Sequence, residues 1–131
     1  MAANTSPIFE LTPINAGITI VNADSTNLKT ILTAGADGTR IDGILVSSND
    51  TAAVNLAFYI NDGVSDLYIG NVVVAIGSGY TTVVRVDALA TLRPASINAL
   101  ILGAGYVLKA NAVVAVTAAK TVTIVAVGGD Y

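Results

Sequence analysis

The sequence has 131 residues and a net charge of −3 at pH 7, and only 11% of its residues are charged, against about 25% in an average soluble domain. It contains no His and no Cys, which excludes Ser–His or Cys–His nucleophilic catalysis, a disulfide framework, and zinc sites built from imidazole or thiolate. The basic residues are scattered singly, which argues against a nucleic-acid surface, so the composition predicts a non-enzymatic protein with no cofactor and no bound metal.

Residues 1–16 are predicted to form an extended N-terminal arm, separate from a single domain over residues 17–131. Pro7 and Pro13 favour extended conformations in and before them. The segment has neither the basic start nor the apolar core of a signal peptide, which predicts a protein made in the cytoplasm. Its apolar side chains need a surface to bind, with an edge strand of the chain's own sheet as an equal alternative. These candidate arm residues are Ile8, Phe9, Leu11 and Ile14.

From residue 17 onward, strand patterns alternate with turn clusters rich in Gly, Asn, Asp and Ser. The clearest strand is 52–61, where apolar and polar side chains alternate, and the following Asn61-Asp62-Gly63 has the chemistry of a hairpin turn. Strands 106–116 and 121–127 are expected to form a final hairpin, and 87–92 to hold a helical turn or a crossover. The other predicted strands are 17–22, 28–34, 39–48, 67–76, 81–86 and 98–102.

About eight short antiparallel strands, with turn signals every 8–12 residues or so, predict an all-β fold. A single β-sandwich of the jelly-roll type fits the number of strands best. Apolar residues occupy both faces of 72–76 and 113–116, more than one small sandwich buries alone. We therefore expect a homo-oligomer. The most apolar stretch, 110–127, is interrupted by Asn111 and Lys120, which argues against a membrane span.

Two Arg–Asp pairs recur with the same spacing, Arg40 with Asp42 and Arg85 with Asp87. Side chains two residues apart on a strand share a face, so each pair can bond in register or reach a neighbouring strand. One interpretation is a solvated strand face, and the other is a polar rim around an apolar subunit contact. On the second interpretation these four are the candidate oligomer-interface residues.

The other carboxylates fall mostly in turns, where Asp hydrogen-bonds its own backbone. Asp62 and Asp66 flank one such turn, and a weak calcium loop is the less favoured alternative there.

Several segments together resemble small virion proteins of tailed bacteriophages, in particular head-decoration or cement proteins. They are 38–44 (GTRIDGI), 48–52 (SNDTA), 61–63 (NDG), 100–102 (LIL), 105–110 (GYVLKA) and 125–131 (VAVGGDY). The resemblance implies a trimeric β-sandwich on the capsid surface of the virion, which clamps neighbouring capsomers and has the major capsid protein as its partner. The positions it carries over are structural, and they are Gly38, Arg40, Asp42, Gly63, Gly105, Gly128 and Gly129.

We therefore expect a non-enzymatic capsid decoration protein, with itself and the major capsid protein as partners, and neither nucleic acid nor membrane. The alternative is a phage tail or fibre module that recognises a host surface or carbohydrate. Its stacking platforms would be Tyr59, Tyr68, Tyr80 or Tyr106. The absence of Trp and an aromatic content of 5% weigh against that alternative.

Overall fold

A computed structural model describes residues 9–131, which form nine β-strands and two short helices. Strand makes up 51% of the structure and helix 6%, as expected for an all-β fold. The helices are a 3-10 turn at Asn22–Asp24 and α1 at Leu89–Leu92. The strands are β1 (Thr12–Val21), β2 (Lys29–Thr33), β3 (Thr39–Ser48), β4 (Val54–Asn61), β5 (Asp66–Val74), β6 (Val86–Asp87), β7 (Leu100–Leu102), β8 (Val107–Ala112) and β9 (Thr121–Asp130).

The strands form two antiparallel sheets. The first has the order β1-β9-β3-β6, with β7 also paired to β3, and the second has the order β2-β8-β4-β5. β6 pairs with Leu45 and Val46 of β3, whereas β7 pairs with Thr39–Ile41, so the two act as one interrupted strand. Counted in this way, the first strand pairs with the last, the second with the next to last, and β4 with β5. This is the wrapped hairpin of a jelly roll, so the predicted fold class is confirmed.

The core lies between the two sheets and is made by alternate residues of each strand. In β9, Val122, Ile124 and Ala126 point inward, and Thr123 and Val125 point outward. The largest fully buried side chain is Phe58 of β4 in the opposite sheet. Period-two burial on both sheets explains why the polar and apolar residues alternate in the sequence.

The connections gather at the two ends of the sandwich. The loops 22–28, 49–53, 75–85 and 113–120 lie at one end, which we call the loop end. Glu10 and Tyr131 lie at the other, with the short β2–β3, β4–β5 and β7–β8 turns. In the part of the chain that the structure describes, no helix has the length and apolar character needed to cross a membrane.

The boundary of the predicted N-terminal arm needs correction. β1 begins at Thr12, and residues 12–16 pair with residues 126–130 of β9. These five residues belong to an edge strand of the chain's own sheet, and Ile14 packs against the core. Of the other candidate arm residues, Phe9 and Leu11 precede the strand, and Ile8 lies outside the described residues.

Two predicted strand features are wrong. β8 and β9 do not form a hairpin, because β8 pairs with β2 and β4 while β9 pairs with β1 and β3 in the other sheet. The segment 81–86 is mostly loop, and only its last residue enters β6. Gly77 and Gly79 have φ of +69° and +81°, and these positive values turn the chain away from an extended course before 81–86.

Candidate functional site

The first candidate surface is a cluster around Arg40 at the end where the chain terminates. The Nε atom of Arg40 lies 2.8 Å from Oδ1 of Asp42 and 3.3 Å from Oε1 of Glu10. Asp42 occupies a bulge in β3, between Ile41 and Gly43 in the pairing with β9. The hydrogen bond to Asp42 raises the pKa of Arg40, so the guanidinium is charged at neutral pH.

A shallow cleft of about 370 Å³ adjoins this cluster and is lined by Phe9, Glu10, Arg40 and Tyr131. Two carboxylates already neutralise the guanidinium, so the cleft does not favour an anion. The ion pair between Glu10 and Arg40 ties the segment before β1 to β3. The backbone N–H of Leu11 donates to the carbonyl of Asp130 at 2.7 Å, which continues the attachment to β9.

The two apolar side chains of this anchored segment face solvent. Phe9 is 71% exposed and Leu11 is 80% exposed. We call them the terminal apolar pair. Exposed apolar side chains on an ordered backbone are typical of a docking surface. The backbone loses little conformational entropy on binding, because it is already fixed in the free protein.

The second Arg–Asp pair has a different role from the first. Oδ1 of Asp87 accepts hydrogen bonds from the backbone N–H groups of Leu89 at 3.1 Å and Ile44 at 3.4 Å. Within residues 9–131, Arg85 forms no ion pair. The fold therefore pairs Arg40 with Asp42 but does not pair Arg85 with Asp87. Asp87 instead accepts a hydrogen bond from the first residue of α1.

The second candidate surface is the outer face of the second sheet. Inward residues such as Leu56, Phe58 and Leu108 are fully buried, so their neighbours along each strand point outward. Two rows cross the strands here: Lys109, Tyr59 and Tyr68 in one, and Asn111, Ala57 and Asn71 in the next. We call the surface the amide–tyrosine face and define it by Asn55, Tyr59, Tyr68, Asn71, Lys109 and Asn111.

Hydrogen bonds and ring packing hold this face in place. The rings of Tyr59 and Tyr68 meet edge to face with centroids 5.6 Å apart, and the Tyr68 hydroxyl donates to Oδ1 of Asn71 at 2.7 Å. Asn111 is tied down separately, because its Nδ2 donates to the carbonyl of Thr26 at 2.9 Å. Of the four tyrosines expected as stacking platforms, the structure brings two together, while Tyr80 lies at the loop end and Tyr106 at the opposite end.

One charge pair borders the amide–tyrosine face. Asp66 accepts a hydrogen bond from Nδ2 of Asn61 at 2.7 Å, and Nζ of Lys109 lies 3.4 Å away. The hydrogen bond from Asn61, together with Lys109, lowers the pKa of Asp66. Asp66 is therefore ionised at neutral pH, and its negative charge offsets the positive charge of Lys109 on this face.

The weak calcium alternative finds no supporting geometry. Oδ1 of Asp62 accepts from the backbone N–H groups of Val64 and Ser65, as an Asx-type turn requires. Oδ1 of Asp66 already accepts a hydrogen bond from Asn61 and forms an ion pair with Lys109. Within residues 9–131, no group of three or more Asp, Glu, His or Cys side chains is placed to hold a metal ion.

The chain matches no family model and no curated protein. We therefore infer a function from the two surfaces described above. Sequence reasoning missed Glu10 and Tyr131 as neighbours of Arg40, and missed Asn71 and Asn111 on the amide–tyrosine face. The alternation in β4 correctly placed Asn55 and Tyr59 on the same face. Their neighbours on that face come from β5 and β8, and a local sequence pattern does not indicate which strands pair.

Proposed function

We propose that this is a non-enzymatic bacteriophage capsid decoration protein, which binds the outer capsid lattice and stabilises the head. The observation that carries the proposal is the combination of an open, uncharged edge strand with the terminal apolar pair next to it. Within residues 9–131, β1 pairs with β9 alone, and its other edge has no partner strand. The ten residues of β1 include no charged side chain.

The β1 edge is blocked towards the loop end, and at its other end Pro13 lacks a backbone N–H. Nζ of Lys29 donates to the carbonyl of Thr19 at 2.5 Å, and Oδ2 of Asp24 accepts from the N–H of Val21 at 2.9 Å. Lys29 and Asp24 also form an ion pair at 3.1 Å. Alternate residues of an edge strand present both backbone groups to the same side, so the N–H and carbonyl groups of Asn15 and Gly17, and the carbonyl of Pro13, remain open.

An open edge of this kind accepts an extended segment of another protein by backbone hydrogen bonding. A segment of the coat protein laid along residues 13–17 would reach the terminal apolar pair and bury Phe9 and Leu11. Such contacts, available only on an assembled lattice, stabilise the assembled state by mass action.

The outer face of the first sheet supports the homo-oligomer, a trimer, that belongs to this proposal. Leu45 pairs with Val125 across β3 and β9, and Val127 follows on the same side of β9. These side chains are only half-buried by the chain itself. Apart from Asp87, which pairs with Leu45, this part of the face has small and branched side chains, and such a surface is suited to packing against a second subunit.

The proposal is tested with the double variant Phe9→Ser/Leu11→Ser and with purified phage heads that lack the decoration protein. We expect cosedimentation with heads to weaken at least about tenfold, equivalent to about 1.4 kcal/mol. The unfolding free energy should change by less than about 0.5 kcal/mol, because both side chains are exposed. Point substitutions are preferable to removing residues 2–14, which would cut into β1 and take Ile14 from the core.

Val64→Ser provides the matched control, since Val64 is 90% exposed in the β4–β5 turn and belongs to neither surface. It should bind heads as the wild type does. Equal binding by the double variant, or no binding of the wild-type protein to heads, would refute the decoration role.

A further inference from the structure

We propose that the amide–tyrosine face binds a neutral oligosaccharide. The site lies on the opposite sheet from the β1 edge, so this inference goes beyond the decoration role and does not depend on it. The aromatic pair, the amides and the charge balance of the face each bear on the choice of ligand.

Tyr68 supplies a fixed aromatic surface. Its side chain is 59% exposed, yet its ring is held by edge contact with Tyr59 and by the hydrogen bond to Asn71. A tyrosine fixed in this way offers apolar contact area with little entropy left to lose on binding. The axial C–H groups on one side of a sugar ring form an apolar patch that packs against such a surface. The exposed Val73, which pairs with Asn55, adds further apolar contact on the same face.

The amides supply hydrogen-bonding groups that match sugar hydroxyls. Each Asn side chain carries two donors and an acceptor, and each hydroxyl can donate and accept. Within residues 9–131, the Oδ1 atoms of Asn55 and Asn111 are buried and receive no hydrogen bond. An acceptor in this state favours a ligand that brings donors.

The charge balance of the face selects a neutral ligand. Lys109 and Asp66 pair with each other, so the face has no free charge for an acidic or a basic saccharide. The outer face of the first sheet differs, since its outward residues include Leu45, Thr123 and Val125 and no aromatic side chain. Asparagine and tyrosine side chains are thus concentrated on the outer face of the second sheet. Ligand sites typically combine apolar surface with a few precisely positioned polar groups in this way.

The test is a titration of the full chain with neutral hexasaccharides (maltohexaose, cellohexaose, xylohexaose and mannohexaose), followed by calorimetry and by chemical shifts of the backbone amides. We expect at least one to bind with a Kd of about 1 mM or lower. The shifted amides should lie in β4, β5 and β8, and the acidic 3′-sialyllactose should bind at least about tenfold more weakly than that hexasaccharide. Failure of all four hexasaccharides to bind at 10 mM or so, or stronger binding of the acidic sugar, overturns the proposal.

Tyr68→Ala should weaken binding of the hexasaccharide at least about tenfold, and Asn71→Ala should weaken it severalfold. Tyr80→Ala is the matched control, because Tyr80 is similarly exposed but lies at the loop end. Cosedimentation of Tyr68→Ala with heads should equal that of the wild type, which separates a failure here from a failure of the decoration role. If Tyr68→Ala fails to fold, the affinity of Asn71→Ala for the hexasaccharide is the test of the site. Unchanged affinity in the folded variants rules the site out.

Discussion

Gly128→Ala is expected to lower the free energy of unfolding by about 3 kcal/mol or more, the largest effect of a one-carbon change in this chain. A Cβ atom at Gly128 would lie 1.9 Å from the backbone oxygen of Arg40 and 2.9 Å from its carbonyl carbon. Neither atom is part of a flexible side chain, so β3 and β9 would have to separate. These two strands form the central pair of the first sheet, and their register places Arg40 close to Glu10 and Tyr131.

Gly103→Ala is the matched control. The nearest atoms to its added Cβ belong to the Tyr106 ring at 3.6 Å, and Gly103 does not have a positive φ. It should change the unfolding free energy by less than about 0.5 kcal/mol. Urea unfolding followed by circular dichroism measures both variants, with m-values compared to check that both unfold in one step. Equal midpoints for the two variants would show that the β3–β9 spacing is not fixed as described.

Much of the strand pattern could be predicted from the sequence because it depends on neighbouring residues. The predicted strand 39–48 coincides with β3, where buried and more exposed side chains alternate on both sides of the bulge. The turn at Asn61-Asp62-Gly63 joins β4 to β5 as predicted, and Gly63 has the positive φ of +97° that the turn chemistry anticipates. Period-two alternation and turn preferences are both local, so a single sequence displays them.

Sheet membership could not be predicted in the same way. Alternation indicates which side chains face the core, but it does not indicate in which of two sheets a strand lies. β8 and β9 are consecutive strands joined by a loop with turn residues, yet the loop crosses from the second sheet to the first. The pairing of β1 with β9 joins the two ends of the chain, and no local pattern signals a contact of that separation.

The amide–tyrosine face shows why a site can escape sequence reasoning even when its residues are noticed. Strict alternation places Tyr68 and Asn71 on opposite sides of a strand, because they are three residues apart. The pairing of β4 with β5 shifts register between Phe58 and Tyr59, and the extra residue in β5 brings both side chains to the same face. Their hydrogen bond at 2.7 Å is a consequence of that bulge.

At the loop end, a buried carboxylate joins two loops. Asp50 is 3% exposed and accepts hydrogen bonds from the Thr117 N–H at 3.0 Å, the Thr117 hydroxyl at 2.6 Å and the Ala52 N–H at 3.0 Å. Burial raises the pKa of Asp50, but the hydrogen bonds from Thr117 and Ala52 outweigh it and hold this pKa below the ordinary value. The ionised form is therefore the one that holds loops 49–53 and 113–120 together.

Asp50→Asn is expected to lower the free energy of unfolding by about 2 kcal/mol at pH 7, because an amide N–H₂ would face one of the donors that the carboxylate accepts. A depressed carboxyl pKa contributes stability above the unfolded-state value near 3.9, and loses it as the pH falls through the folded-state value. The difference between the wild type and this variant should therefore shrink as the pH falls below about 4. Urea unfolding between pH 7 and pH 3 or so measures this, with Asp37→Asn in an exposed turn as the control. A difference that stays constant with pH would mean that Asp50 does not act through its charge.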